Sequence, residues 1–171
     1  MAAIGQSNNN YTTVQLARYV TAVANEGTVY QYTLLNRLED SDGNVLQTFE
    51  PQVRNQIDVL DTEEWNAIHS GMRMVVENTK EFDGFPIEAA GKTGTAQQNL
   101  KRPNHALFVG YAAYGDPEIS IATRIAYGYT SHNAAKLARN VFAYYFNVEN
   151  EDELLNGQAA NGNSSSNEIS D

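Results

Sequence analysis

Apolar positions recur at helical spacing in three stretches, and shorter runs between them alternate or read as extended. The first stretch places Leu16, Val20, Val23 and Ala24 behind Thr12-Thr13-Val14-Gln15, where Thr12 can cap a helix and Gln15 can reach back to it. Gly27 can take the left-handed conformation that stops the helix, so the pattern predicts a helix over residues 12–26. Residues 28–38, rich in Tyr, Thr and Leu, predict a strand. Asp40-Ser41-Asp42-Gly43-Asn44 is turn chemistry, and residues 45–49 return as the second strand of a peripheral hairpin that Pro51 ends. Asp61-Thr62-Glu63-Glu64 opens a second helix with acids where the helix dipole favours them. Trp65, Ile68, Met72, Val75 and Val76 form its apolar stripe, which reads as core, and the helix fades around residues 77–79.

A loop over residues 80–86 leads into a strand through Gly91, and a polar connection over 99–104 leads out of it. Residues 105–114 and 119–126 read as two more strands about a Gly115-Asp116-Pro117 turn, giving a three-stranded antiparallel meander. Thr130-Ser131-His132-Asn133 starts a third helix, with Leu137, Ala138, Val141, Phe142 and Tyr145 expected to lie on the sheet and Ser131 read as a cap. From residue 147 the chain turns acidic, and residues 157–171 are Asn, Ser, Gly and Glu, too polar to offset the entropy of ordering. The expected organisation is one α+β unit over residues 1–146 and a disordered tail over 147–171.

Composition narrows the possibilities. A chain of 171 residues is long enough for one sizeable core. A net charge of -10 argues against a nucleic-acid partner, because phosphate binding needs a positive surface. With no cysteine, disulfides and thiolate metal sites are excluded, and three dispersed histidines make no ligand set, so neither metal nor cofactor is expected. His69 lies beside the second helix's stripe and reads as an interfacial polar residue; His105 reads as a structural residue at a strand start. No apolar run approaches the ~18 residues of a membrane span, and no signal peptide is seen. Met1-Ala2-Ala3 reads like an added start on an excised piece.

Chemistry concentrates in Ala89-Ala90-Gly91-Lys92-Thr93-Gly94-Thr95-Ala96-Gln97. Gly91 and Gly94 remove Cβ where a ligand or second chain could approach, Lys92 offers a cation, and Thr93 and Thr95 would share one face of a strand. On these residues alone, an ordinary glycine-containing strand with a surface lysine serves about equally well.

The wider pattern resembles a known family. Lys92-Thr93-Gly94 is a signature of penicillin-binding proteins and serine β-lactamases. Ile4-Gly5-Gln6, Tyr11-Thr12-Thr13-Val14-Gln15-Leu16-Ala17 and Ala24-Asn25-Glu26-Gly27 resemble the segment that precedes this motif in class B penicillin-binding proteins. Gly71-Met72 with Val75-Val76, His105-Ala106-Leu107-Phe108-Val109-Gly110-Tyr111 and Asp116-Pro117-Glu118-Ile119 follow in the family's order. The resemblance covers residues 4–146 and is closest to the penicillin-binding protein 2 type. It departs at Leu107, where the family usually has Trp, and at Ala113, where it usually has Pro. It implies a partial penicillin-binding-protein transpeptidase fold, serine β-lactamase-like, with the meander, packed helices and a peripheral hairpin.

The resemblance also implies what is missing. The four lysines, Lys80, Lys92, Lys101 and Lys136, are preceded at three positions by Glu77, Ala89, Gln98 and Asn133, so no Ser-x-x-Lys nucleophile motif is present. Ser7-Asn8-Asn9, Ser131-His132-Asn133 and Ser165-Ser166-Asn167 spell Ser-x-Asn, but none stands where the family places its second motif. The chain therefore resembles the C-terminal half of a transpeptidase domain, the substrate-binding half, expected to be inactive alone. Lys92 and Thr95 would be its catalytic residues, and Lys92, Thr93, Gly94, Thr95 and Gln97 would bind substrate. The ligands implied are a D-alanyl-D-alanine stem peptide and β-lactams. The parent enzyme would be anchored by a helix at the extracytoplasmic face of the bacterial membrane and would work beside a membrane glycosyltransferase. In the family's five-stranded sheet, the strand over residues 119–126 has a neighbour from the other half, so its exposed edge is expected to self-associate. Other readings are a serine β-lactamase, which the long segment before the motif fits poorly, and a β-lactam-sensing receptor or non-catalytic binding module.

Overall fold

The computed structural model describes residues 10–98, 100–150 and 154; the predicted entry at residues 4–7 and nearly all of the predicted tail lie outside them. In chain order the elements are α1 (Thr13–Ala24), β1 (Thr28–Tyr30), β2 (Arg37–Glu39), β3 (Val45–Thr48), β4 (Val53–Gln56), α2 (Thr62–Glu77), a 3-10 turn (Lys80–Phe82), β5 (Ala89–Ala96), β6 (His105–Ala112), β7 (Ile119–Ile125) and α3 (Ser131–Tyr145).

Two helices begin with reciprocal caps. Thr12 Oγ1 accepts from the Gln15 amide at 3.2 Å while Gln15 Oε1 accepts from the Thr12 amide at 2.8 Å. Asp61 and Glu64 make the same exchange at the start of α2, at 2.9 Å each way. Gly27 ends the α1 segment at φ +94, and a Cβ there would lie 2.3 Å from the Ile57 carbonyl oxygen, so only glycine fits. For α3 the cap is Thr130, whose side chain accepts from His132 N; Ser131 is the first helical residue and not the cap it was expected to be.

The region before α2 departs from the single predicted hairpin. Residues 28–38 are two strands, because Thr33 Oγ1 accepts from Leu35 N and donates to Leu35 O, both at 3.0 Å, and this local turn interrupts extension. β2 pairs with β3 across the predicted turn, where Asp40 accepts hydrogen bonds from the Asn44 side chain and from the Asn44 and Asp42 amides. Those bonds hold the Asp40 carboxyl below the usual aspartate range, the Asn44 side chain contributing most. β1 pairs instead with β4, a polar strand beyond Pro51 that shows no apolar alternation in the sequence.

The main sheet has the order β5-β6-β7, all antiparallel, as predicted. Its register sorts side chains by face. Ala89, Gly91, Thr93 and Thr95 share a side with Ala106, Phe108, Gly110 and Ala112 and with Ile119, Ile121, Thr123 and Ile125. This side carries α3, whose Ala134, Ala135, Ala138 and Phe142 pack with Phe108, Phe82 and Val76 in the larger core. Thr123 ties the layers by donating to Ala134 O at 3.0 Å and Phe108 O at 3.3 Å. The opposite side presents Ala90, Lys92 and Gly94 beside Tyr111, Val109 and Leu107; Val20 and Ala24 of α1 cover part of it, with Met72 of α2 packed against them.

α3 buries only part of the predicted stripe: Ala138 and Phe142 meet the sheet as expected. Leu137, Val141 and Tyr145 are exposed, while its alanines and Phe142 meet the sheet, because alanines let the helix settle closely over Phe108. Ile68 of α2 is likewise exposed, with Trp65 and Val76 as the buried ends of its stripe. After α3 the chain folds back: Val148 N donates to Ala143 O, and Arg139 pairs with Glu149.

Candidate functional site

Strand β5 has β6 on one side and no strand on the other among the described residues. In a strand the N–H and C=O of one residue point the same way, and successive residues alternate. Glu88 O accepts from Tyr114 N at 2.9 Å, on the ladder side. Ala89 O accepts from Arg73 Nη1 at 3.1 Å and Thr93 O from Lys92 Nζ at 2.9 Å, both outside the ladder. The odd-numbered residues therefore face the open edge, so Gly91, Thr93 and Thr95 present N–H and C=O there.

The site residues sort themselves around that edge. The Lys92 side chain starts on the α1 side, but its ammonium curls to the edge by donating to Thr93 O. Thr93 and Thr95 share the α3 side as predicted, Thr93 half-buried and Thr95 exposed. Gln97 is exposed immediately past the end of β5. The two glycines differ. A Cβ at Gly94 would find only Leu107 Cβ, at an ordinary 3.5 Å. A Cβ at Gly91 would strike the buried Phe108 ring at 2.3 Å, so Gly91 makes room for the core and not for the ligand or second chain suggested by the sequence.

Arg73 is a residue that the sequence reading passed over. Its guanidinium also donates to Glu88 Oε1 at 3.2 Å, pairs with Glu77 at 3.4 Å and lies 5.9 Å from the centre of the Tyr114 ring. It closes the edge at Ala89, so the open part starts at Gly91. The signal was an arginine set among Met72, Val75 and Val76, where a half-buried guanidinium needs carbonyl or carboxylate partners.

The histidines behave as structural residues. His69 Nε2 meets Val23 O at 2.9 Å, between the Trp65 and Tyr111 rings. His105 is buried at the start of β6, its ring bonded to Gln98 and to the Tyr127 amide. His132 pairs with Glu81 at 2.8 Å. Among the described residues no group of three His, Asp or Glu side chains could hold a metal, and no helix is long and apolar enough to cross a membrane.

The fold is an antiparallel meander between α1 and α3, with a Lys-Thr-Gly-Thr strand along its open edge. Residues 1–144 match the family described as penicillin binding protein transpeptidase domain, and the chain belongs to that family. Its relatives are class B proteins of the penicillin-binding protein 2 type. It is 33% identical over 165 residues to the peptidoglycan D,D-transpeptidase MrdA of Haemophilus influenzae, covering 84% of this chain and 25% of that protein. The chain spans about a quarter of the length of the curated relatives it matches. Among solved structures, the imipenem acyl-enzyme complex of penicillin-binding protein A from M. tuberculosis aligns with a TM-score of 0.74 at 22% identity, over 85% of this chain and 33% of that one. A peptidoglycan synthase complex that coordinates polymerization and crosslinking aligns at 0.64 and 21%, over 82% and 24%. These two establish likeness of fold.

Proposed function

We propose that the whole protein is a peptidoglycan D,D-transpeptidase and that this chain supplies the wall along which the donor peptide lies. The observation that carries this reading is the open edge of β5, with Lys92 Nζ beside it and Thr95 N–H directed into it. A serine outside these 171 residues attacks the penultimate carbonyl of a D-alanyl-D-alanine stem peptide. Its proton passes to the Lys of Ser-x-x-Lys, and the carbonyl oxygen becomes an oxyanion held by Thr95 N–H and the serine's own amide. The C–N bond breaks, D-alanine leaves, and the amine of a neighbouring stem peptide takes the acyl group. A β-lactam is opened by the same serine and stays as the ester.

Lys92, Thr93 and Thr95 hold the substrate carboxylate by charge and hydroxyl hydrogen bonds, and Gly94 leaves the approach unobstructed. The substrate backbone pairs with the edge from Gly91 toward Gln97, in the manner of strand addition. Family membership supports an extracytoplasmic, membrane-anchored enzyme. The fold-level likeness to a synthase complex supports a membrane glycosyltransferase as partner. Taken alone, the chain binds without turning over, and its β7 edge, which has no outer neighbour among the described residues, pairs with a second copy.

The test is Lys92→Ala in the protein that carries Ser-x-x-Lys. A charge-assisted hydrogen bond to a carboxylate is worth about 1.5–3 kcal/mol, so acylation by penicillin should slow by roughly 10- to 100-fold. An unchanged rate sinks the assignment.

A further inference from the structure

The end of β5 is held by a cluster of side chains that the reaction scheme above does not use. His105 pairs with Ala96 in the ladder, next to the Thr95–Ala106 pair. Its Nδ1 accepts from the Tyr127 amide at 3.1 Å, so the ring proton lies on Nε2 and is donated to Gln98 Oε1 at 3.0 Å. The Tyr127 ring lies 4.9 Å from the His105 ring, centre to centre. Arg102 Nη1 donates to the Tyr127 hydroxyl at 2.9 Å, with its guanidinium 5.2 Å from the centre of that ring. That hydroxyl lies 3.5 Å from Gln98 Oε1, which closes the circuit.

The backbone on the far side is held in an unusual shape. Tyr127 and Tyr129 both take positive φ, +54 and +65, which non-glycine residues adopt only where the surroundings over-determine it. Here Tyr127 N is fixed by His105, Tyr129 N donates to Asn104 O at 3.1 Å, and a Cβ on Gly128 would lie under 3 Å from Ile125 and Ala106. The corner after β7 is thereby locked against both ends of the connection between β5 and β6. A ladder end normally frays, yet the last residues of β5 carry the amide proposed to meet the oxyanion.

We propose that Gln98, His105, Tyr127 and Arg102 are positioning residues, a clamp that fixes the C-terminal end of β5 and so the direction of the Thr95 N–H during acylation. The proposal rests on the transpeptidase reading for its catalytic consequence, and on this chain alone for its structural one. Gln98 is exposed, so Gln98→Leu removes the central acceptor with little threat to folding, whereas Gln98→Glu keeps an acceptor for His105 Nε2–H.

Two measurements decide it. The first is ¹⁵N relaxation on this chain. Gln98→Leu should lower the order parameters of Thr95 and Ala96 and leave Ala89 and Gly91 unchanged, and Gln98→Glu should restore them. Unchanged values at Thr95 overturn the clamp. The second is penicillin acylation of the protein carrying Ser-x-x-Lys, resolved into a dissociation constant and an acylation rate constant. Gln98→Leu should lower the rate constant about tenfold and move the dissociation constant less than about twofold, with recovery in Gln98→Glu, since small misplacements act on the chemical step. A lowered Tm with an unchanged rate constant means a merely structural role and overturns the catalytic part. If the unmodified longer protein takes up no penicillin, the transpeptidase reading fails, while the relaxation result still decides whether the clamp exists.

Discussion

At Gly91 an added methyl would sit 2.3 Å from one Phe108 ring carbon and 2.8 Å from another, inside the larger core; at Gly94 it would touch only Leu107, at 3.5 Å. Gly91→Ala should therefore destabilise the chain by about 1–3 kcal/mol through overpacking, read as a lower denaturation midpoint. Gly94→Ala should leave stability within about 0.5 kcal/mol, yet slow acylation of the longer protein by about tenfold. Equal stability loss in both variants contradicts this division. Tyr111 makes a separate prediction. It is fully buried, and burial, with a smaller contribution from nearby Tyr114, pushes its hydroxyl up to about 12 from the ordinary 10. Below pH 10 both folded and unfolded chains hold the proton and nothing is lost. Between pH 10 and 12 the unfolded chain releases it first, so stability falls as pH rises, by about 2–3 kcal/mol in total. Tyr111→Phe should flatten that part of the curve in denaturation at stepped pH; an unaltered slope would refute the assignment.

At the scale of elements, the motif strand and its meander were legible because Gly, Thr and alternating apolar residues carry local signals. So was the capping box of α1, since a cap is decided within four residues; at α2 the sequence showed the helix start, and the structure adds the Asp61–Glu64 exchange. What was illegible turned on one side chain's local hydrogen bonds or on contacts at a distance. Residues 28–38 look like one strand until Thr33 turns on Leu35, and β4 is exposed along its length, with β1 its one strand partner among the described residues. Of the α3 stripe, Ala138 and Phe142 lie on the sheet as hydrophobicity predicts, whereas Leu137, Val141 and Tyr145 are exposed, because close approach to Phe108 selects the alanine face. That exposed stripe belongs to the helix packed on β7, whose outer edge has no strand neighbour among the described residues. Light scattering of this chain should show mass above that of a monomer, rising with concentration. A clean monomer throughout counts against pairing through β7.

Across the whole molecule, the side chains that organise the site come from four separate stretches. Arg73 on α2 closes the edge at Ala89, Lys92 reaches it at Thr93, and His105 and Tyr127 hold its far end. Lys92, Thr93, Gly94, Thr95 and Gln97 were named as candidates from the sequence, because they fall within one short motif. Arg73 and the Gln98–His105–Tyr127–Arg102 circuit exist only once α2 and the corner after β7 have packed against the sheet. The same assembly is expected to bind the peptide and leave bond-making to a serine elsewhere in the protein. The most direct test is to treat the longer protein with penicillin and map the modified peptide by mass spectrometry, with this chain alone as the parallel sample. The prediction is one acyl adduct per longer protein, on a serine outside these 171 residues, and none on the isolated chain. A stoichiometric adduct on any residue of the chain would mean that the nucleophile is already here and that the division between binding wall and nucleophile is wrong.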